Sequence, residues 1–192
     1  PEALAAITVA FPITLVFNAI CSGTGIGAAS LISRYLGAGE QEKADQVACL
    51  TISLSFLVSI LVIISFLPLL DIILTVFGAE QTVLPLATSY LKVLIFGSLI
   101  SFFPSIVSSI IRAEGSPFVA SSALILSSLV NIILDPFLIF GWGVFPEMGI
   151  AGASTATIIA QGCGAILFLK YFLSAKTSYQ FRLSFFWPRF NI

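Results

Sequence analysis

The sequence has 192 residues, 58% of them hydrophobic and 9% charged, with 8 Lys+Arg against 9 Asp+Glu. Soluble chains are about a quarter charged; so few charges cannot coat a water-facing surface, which excludes a soluble globular domain. A net charge of −1 argues against nucleic acid, which selects basic faces, and the absence of histidine removes His-based acid/base catalysis and His metal ligation.

The charges divide the chain. Between Glu2 and Arg34 lie 31 uncharged residues, and between Asp45 and Asp71 there are 25. Lys92 to Arg112 encloses 19, Glu114 to Asp135 encloses 20, and Glu147 to Lys170 encloses 22. A membrane-spanning helix needs about 20 predominantly apolar residues, so five spans are predicted, near 8–33, 47–70, 86–111, 118–140 and 153–173. The runs are continuous rather than alternating, which excludes β-barrel strands. The predicted fold is an all-α polytopic transmembrane bundle over 1–173. Residues 71–85 read as a turn with a short surface helix, and 174–192 as a cytoplasmic linker.

Five spans leave six flanks on alternating sides. One side carries Arg34, Lys43, Arg112, Lys170, Lys176, Arg182 and Arg189, and the other only Lys92. Cytoplasmic flanks are enriched in Lys and Arg, so 34–46, 112–117 and 174–192 are assigned to the cytoplasm and the N-terminal end to the outside. The chain opens Pro1-Glu2-Ala3-Leu4 without Met or a signal peptide. Together with the outside N-terminus, this gives the expectation that a helix precedes Pro1. In the tail, Phe181, Phe185, Phe186, Trp187 and Phe190 alternate with Lys176, Arg182 and Arg189, a mixture suited to a headgroup interface or to a linker.

Within the first span, Gly23 and Gly27 form a GxxxG pair read as helix packing, and Asn18 and Ser22, one turn apart, are candidates for a cavity wall. The third span has Ser98, Ser101, Ser105 and Ser108 at helical spacing. These are read first as close packing and second as a wet cavity side. In the fourth span, Asp135 is the one acid well inside a predicted helix, about 7–8 Å from its outer end at 1.5 Å per residue. A carboxylate at that depth is expensive and usually functional. Asn131 lies one turn back, Ser128 and Ser121 continue the stripe, and Pro136 frees the Ile132 carbonyl. In the last span Thr157 and Gln161 share an inward face, which Gly164 continues. Cys21, Cys49 and Cys163 lie in separate apolar runs and read as small buried hydrophobes. No Walker motif or nucleophile elbow is present, so neither ATP nor a covalent enzyme mechanism is indicated.

Several blocks in order resemble the MATE (multidrug and toxic compound extrusion) transporters, with most similarity to the DinF-like branch. They are Pro1-Glu2-Ala3-Leu4-Ala5-Ala6; Gly23-Thr24-Gly25-Ile26-Gly27 with Ser33-Arg34-Tyr35-Leu36-Gly37-Ala38-Gly39; Ile111-Arg112-Ala113-Glu114-Gly115-Ser116-Pro117; Asn131-Ile132-Ile133-Leu134-Asp135-Pro136; and Gly149-Ile150-Ala151-Gly152-Ala153-Ser154-Thr155-Ala156-Thr157. The resemblance implies helices two to six of a six-helix lobe, with the first helix and a second lobe of the same chain outside this sequence. It implies a multi-pass plasma-membrane antiporter that exports drugs or toxic, lipophilic cationic compounds by alternating access, coupled to H⁺ or Na⁺ and needing no cofactor. Asp135, Asn131 and Thr157 would hold the coupling ion, with Na⁺ accommodated at Asp135 and Asn131. Ser108, Ser128, Gln161 and Asn18 would line the cavity. The rival readings are a polyprenyl-linked saccharide flippase of related fold, whose cavity should be strongly basic, and a membrane-embedded enzyme, which would need paired acids, a metal or a Ser/His arrangement.

Overall fold

A computed structural model describes residues 2–174 together with Thr177 and Tyr179. The described chain is helical throughout: α1 (Glu2–Gly37), α2 (Gln41–Phe66), α3 (Leu70–Val76), α4 (Leu84–Ala113), α5 (Pro117–Phe140) and α6 (Ile150–Leu173). All but α3 are long and apolar enough to cross a bilayer. The shortest of these five, at 24 residues, reach about 36 Å against a hydrocarbon core of about 30 Å.

The spans run longer than the uncharged stretches because a helix continues through the interface, where Lys and Glu side chains reach water. Thus α1 extends beyond 8–33 at both ends, and α2 begins at Gln41 among charged residues. The one end that retreats is that of α2, at Phe66 rather than residue 70. Pro68 explains it: Leu67 keeps helical dihedrals and still donates to Ile63 O (3.1 Å), but proline supplies no N–H to continue the ladder. The expected short helix in 71–85 is α3, whose Leu70 and Leu74 are buried while Ile72 and Val76 are exposed.

Successive spans alternate in direction and leave two clusters of buried residues, one toward each end of the bundle. One joins Ile32, Ala44, Ile110, Ala120 and Phe168, at the end carrying Arg34 and Arg112. The other joins Ala6, Leu74, Ala87 and Ile150. The helix α4 is central and contacts the other four long helices. Many large apolar side chains point outward, Phe118, Leu124, Ile132 and Leu173 among them. In water such a surface would aggregate, whereas lipid tails solvate it.

Small residues set the closest approaches. A Cβ on Gly25 would sit 2.8 Å from the Ser109 hydroxyl, so α1 and α4 meet there. The GxxxG pair does not do this: among the described residues nothing lies within 4 Å of a Cβ on Gly23 or Gly27, so the packing role expected of them falls to Gly25 here. Two residues along a helix turn about 200°, so Gly25 faces inward with Cys21, Ala28 and Ile32 while its neighbours face out. Between α2 and α4, the buried Ser59 hydroxyl approaches the carbonyls of Ser98 (3.0 Å) and Ser55 (2.8 Å). Between α5 and α6, a Cβ on Gly152 would overlap the Leu138 carbonyl. The α5 end folds back onto the same place, with Met148 N–H donating to Leu138 O (3.0 Å) and Gly149 N–H to Ile139 O (3.2 Å).

Asp45, read from sequence as a flank charge, is 3% exposed and accepts a hydrogen bond from Gln41 Nε2 (2.9 Å). Tyr171 Oη, in the last turn of α6, and Thr177 Oγ1 beyond it each donate to the Glu114 carboxylate (3.2 Å), and Tyr179 Oη donates to Ile110 O (3.1 Å). Burial pushes the Tyr179 phenol above its ordinary range, and the charges of Glu114, Asp45 and Tyr171 add to the shift. The tail reading of Lys176, Phe181, Arg182, Phe185, Phe186, Trp187, Arg189 and Phe190 lies outside the described residues.

Two outcomes follow from this packing. Gly152→Ala should destabilise the protein by about 1–3 kcal/mol through forced separation of α5 and α6, read as a lower thermal midpoint in detergent. Tyr179→Phe should lose about 1 kcal/mol. Because the folded state favours the protonated phenol, that contribution is complete below about pH 10 and fades as pH rises further. A pH series of thermal midpoints on wild type and variant checks the sign.

Candidate functional site

The α5–α6 contact brings three of the sequence-predicted residues together. Asn131 Nδ2 donates to Asp135 Oδ1 on its own helix (3.2 Å) and reaches Thr157 Oγ1 on α6 (3.5 Å). The Thr157 hydroxyl in turn donates to Ala153 O (2.9 Å), which fixes its lone pairs toward Asn131. The i, i+4 spacing of Asn131 and Asp135 makes the first bond local. The second depends on the small residues that let α5 and α6 approach. Asp135 is half-buried, and Tyr90 of α4 is near enough to feel its charge. Carboxylate and hydroxyl oxygens from two helices converge here with the Asn131 amide nitrogen between them; the set suits a proton as it stands, and a small cation such as Na⁺ would take the amide oxygen in place of the nitrogen.

Beside this cluster runs a cavity of about 350 Å³ between α4, α5 and α6. Its α5 wall extends from Ala120 to Asn131, about 16 Å at 1.5 Å per residue. Asn131 and Thr157 close one end of it; Asp135 lies one turn beyond Asn131 and does not line it. The expected residues Ser108, Ser128 and Gln161 do line it. Asn18 does not line this cavity. It lies on the exposed face of α1, away from the side packed on α4, and its amide donates to Thr14 O (2.9 Å). Ser22 is exposed on the same helix, and Ser121 also stands outside the lining.

The serine stripe of α4 divides between its two readings. Ser98 is buried against α2, whereas Ser105 and Ser108 face the cavity. Sequence reasoning missed Ser127, whose hydroxyl occupies the space opposite Gly164, and it took Arg112 only as an orientation mark. Arg112 is the one charged residue among those lining the cavity, held by Ser108 Oγ (2.8 Å) and Ser109 Oγ (3.2 Å). The i+4 relation of Ser108 and Arg112 was the available signal, since it places both on one face.

A five-span bundle with a polar cavity opening beside an intramembrane carboxylate defines the class: a polytopic membrane protein. The family model described as MatE matches residues 1–137, and the chain belongs to that family. It is 33% identical over 172 residues to the multidrug export protein MepA of Staphylococcus aureus (strain NCTC 8325 / PS 47), covering 88% of this chain and 37% of that protein. It is also 33% identical over 163 residues to a FAD transporter of Shewanella oneidensis, covering 83% of this chain and 35% of the relative. A MATE-family transporter of the MOP superfamily solved in an inward-facing conformation superposes with a TM-score of 0.91 at 33% identity, over 98% of this chain and 42% of the other. A MOP-superfamily transporter from Pyrococcus furiosus, reported with a binding pocket of reversed polarity, gives 0.90 at 32% identity, over 98% and 41%. The chain therefore spans a little over a third of the length of these curated relatives. Family membership and five apolar spans make it a multi-pass protein of the cell membrane, and these relatives are transporters rather than enzymes.

The inter-helix bond can be isolated by a double-mutant cycle. Thr157→Val and Asn131→Ala should each lower thermal stability, with a coupling energy of about 0.5 kcal/mol or more because they share one contact; additive effects would place the two side chains apart in solution.

Proposed function

We propose that these five membrane helices form most of one lobe of a cation-coupled antiporter that exports drugs or toxic organic compounds by alternating access. In this reading a second lobe and a further helix complete the protein, and residues 174–192 begin the cytoplasmic linker between lobes. The observation that carries the reading is the convergence of Asn131, Asp135 and Thr157 at the end of the α4–α5–α6 cavity. An ionisable group inside a span is costly to keep and marks an ion or proton path, and here it adjoins a space wide enough for a small organic molecule.

The mechanism follows from where the charge sits. With Asp135 ionised, Asn131 donates to the carboxylate, and a cation held between Asp135, Asn131 and Thr157 would take the amide oxygen after the Asn131 amide turns over. Proton uptake by Asp135 removes a charge from the low-dielectric interior, or Na⁺ neutralises it in place. Pro136 leaves the Ile132 carbonyl without its helical donor, so α5 bends there at lower cost than elsewhere. Bending at that point would move Asn131 relative to Thr157 and reshape the outer end of the cavity. Rocking of two lobes about such a midplane site is the usual form of alternating access in repeat-built transporters.

In cells expressing the full-length transporter, Asp135→Asn should abolish gradient-driven efflux while membrane insertion and expression stay normal. Separate imposed pH and sodium gradients in vesicles identify the coupling ion. Undiminished transport by Asp135→Asn would remove the assignment.

A further inference from the structure

The turn between α5 and α6, at the end opposite Arg34 and Arg112, carries an aromatic cluster outside the cavity. Phe137, in the last turn of α5, meets Trp142 and Phe145 edge-on, with ring centroids 6.1 Å apart in each pair. Trp142 also stacks on Phe140 at 6.1 Å. Although the rings touch one another, Phe140, Trp142 and Phe145 are all exposed, as are Val144 and Met148 beside them. The turn itself is closed. Gly141 and Gly143 take positive φ (69° and 74°), where a side chain would be strained. Trp142 N–H donates to Phe137 O (3.2 Å), and the N–H groups of Met148 and Gly149 return to Leu138 O and Ile139 O. The backbone therefore holds the rings outward.

Position, depth and polarity together say what covers them. The cluster continues the lipid-facing stripe of α5, because Leu126, Leu129, Ile133 and Phe140 are exposed at spacings of 3, 4 and 7, which keeps them on one side of a helix. The 24 residues of α5 reach about 36 Å, so each end passes a hydrocarbon core of about 30 Å by roughly 3 Å. The rings at its outer end thus stand at the headgroup boundary. Trp142 has no hydrogen-bond acceptor for its indole N–H among the described residues, so the ring can lie in acyl chains while the N–H meets water or a headgroup. Between Phe140 and Ile150 the charged residue is Glu147, with no Lys or Arg. Attraction to anionic lipid does not hold this turn.

We propose that the α5–α6 turn is an interfacial anchor, with Phe140, Trp142 and Phe145 seated between the headgroups and acyl chains of the outer leaflet. It binds by burying aromatic surface and not by charge. Phe137 follows Pro136 directly and joins the other rings, so the anchor fixes the stub 137–140 while α5 bends at Pro136. Bending then displaces the inner part of the helix, which carries Asn131, and leaves the outer end in place. The lipid contact stands apart from the export reading; the role in bending rests on it.

The test places the full-length transporter in phosphatidylcholine vesicles and compares wild type with Trp142→Phe, so that the difference in emission belongs to Trp142. Bromine on an acyl chain quenches indole at contact, and iodide quenches it from water. Trp142 emission should lie to the blue of indole in water. It should be lost to lipid brominated near the headgroup end of the chain, with smaller losses to lipid brominated near the methyl end and to iodide. Replacing part of the phosphatidylcholine with phosphatidylglycerol should leave these losses unchanged, and so should a step from neutral to acid pH. Phe145→Trp, made on wild type, adds an indole with the same profile and serves where Trp142→Phe does not fold. Strong iodide quenching puts the turn in water, quenching by neither agent puts it under another part of the protein, and a requirement for phosphatidylglycerol makes it a charge contact. Each of these overturns the anchor. A profile that changes on acidification overturns the held stub alone. None of these readouts measures transport, so failure of the export reading shows separately, in the efflux of Asp135→Asn.

Discussion

Hydrocarbon offers no water to a peptide group, and each polar atom placed in it must find a partner within the protein. The helices meet this demand for the backbone, and most hydroxyl side chains meet it for themselves. Thr8 donates to Leu4 O, Thr24 to Ile20 O, Thr51 to Val47 O and Ser105 to Ser101 O, each one turn back on its own helix. Such residues add little surface polarity and allow close packing, as Ser59 and Ser98 do between α2 and α4. Asn131 also reaches beyond its own helix to Thr157 on α6, and the buried Gln161 Oε1 has no hydrogen-bond partner among the described residues; both line one cavity.

The same constraint gives the proline residues their meaning. Pro104 lines the cavity within α4, and Pro136 lies directly after the carboxylate of α5. Both interrupt a hydrogen-bond ladder beside the site, where α4 and α5 bend at lower cost; Pro12 does the same within α1. Opposite them, Gly152 and Gly164 bring α6 against α5. One side of the cavity is thus closely packed and the other is jointed, an arrangement suited to a small motion at a fixed place.

Electrostatically the site is polarised along the bundle. The carboxylate stands beyond one end of the cavity and the guanidinium at the other, with neutral amides and hydroxyls between. Lys and Arg crowd one end of the bundle, and Arg112 among them lines the cavity while staying exposed.

Much of this was legible in the residues. Five spans followed from the distances between charges, and Asn131, Asp135 and Thr157 stood out because polar groups in apolar runs are costly. The i, i+4 pair even announced its own hydrogen bond. Helix ends were less legible, since charge marks the membrane edge and the helix runs past it, and only Pro68 gave a local stop signal at the end of α2. Facing was illegible wherever two candidates lay close together: Gly25 and not the Gly23/Gly27 pair meets α4, Ser127 joins Ser128 at the cavity, and Asn18 lies outside it. A helix turns 100° per residue, so composition cannot say which side meets a neighbour until the neighbour is in place. The sequence by itself determined that the chain must be a bundle of membrane helices, because its side chains leave no other solvent. Which polar groups share a cavity, and that Arg112 is its charged residue, was decided only when α4, α5 and α6 packed together.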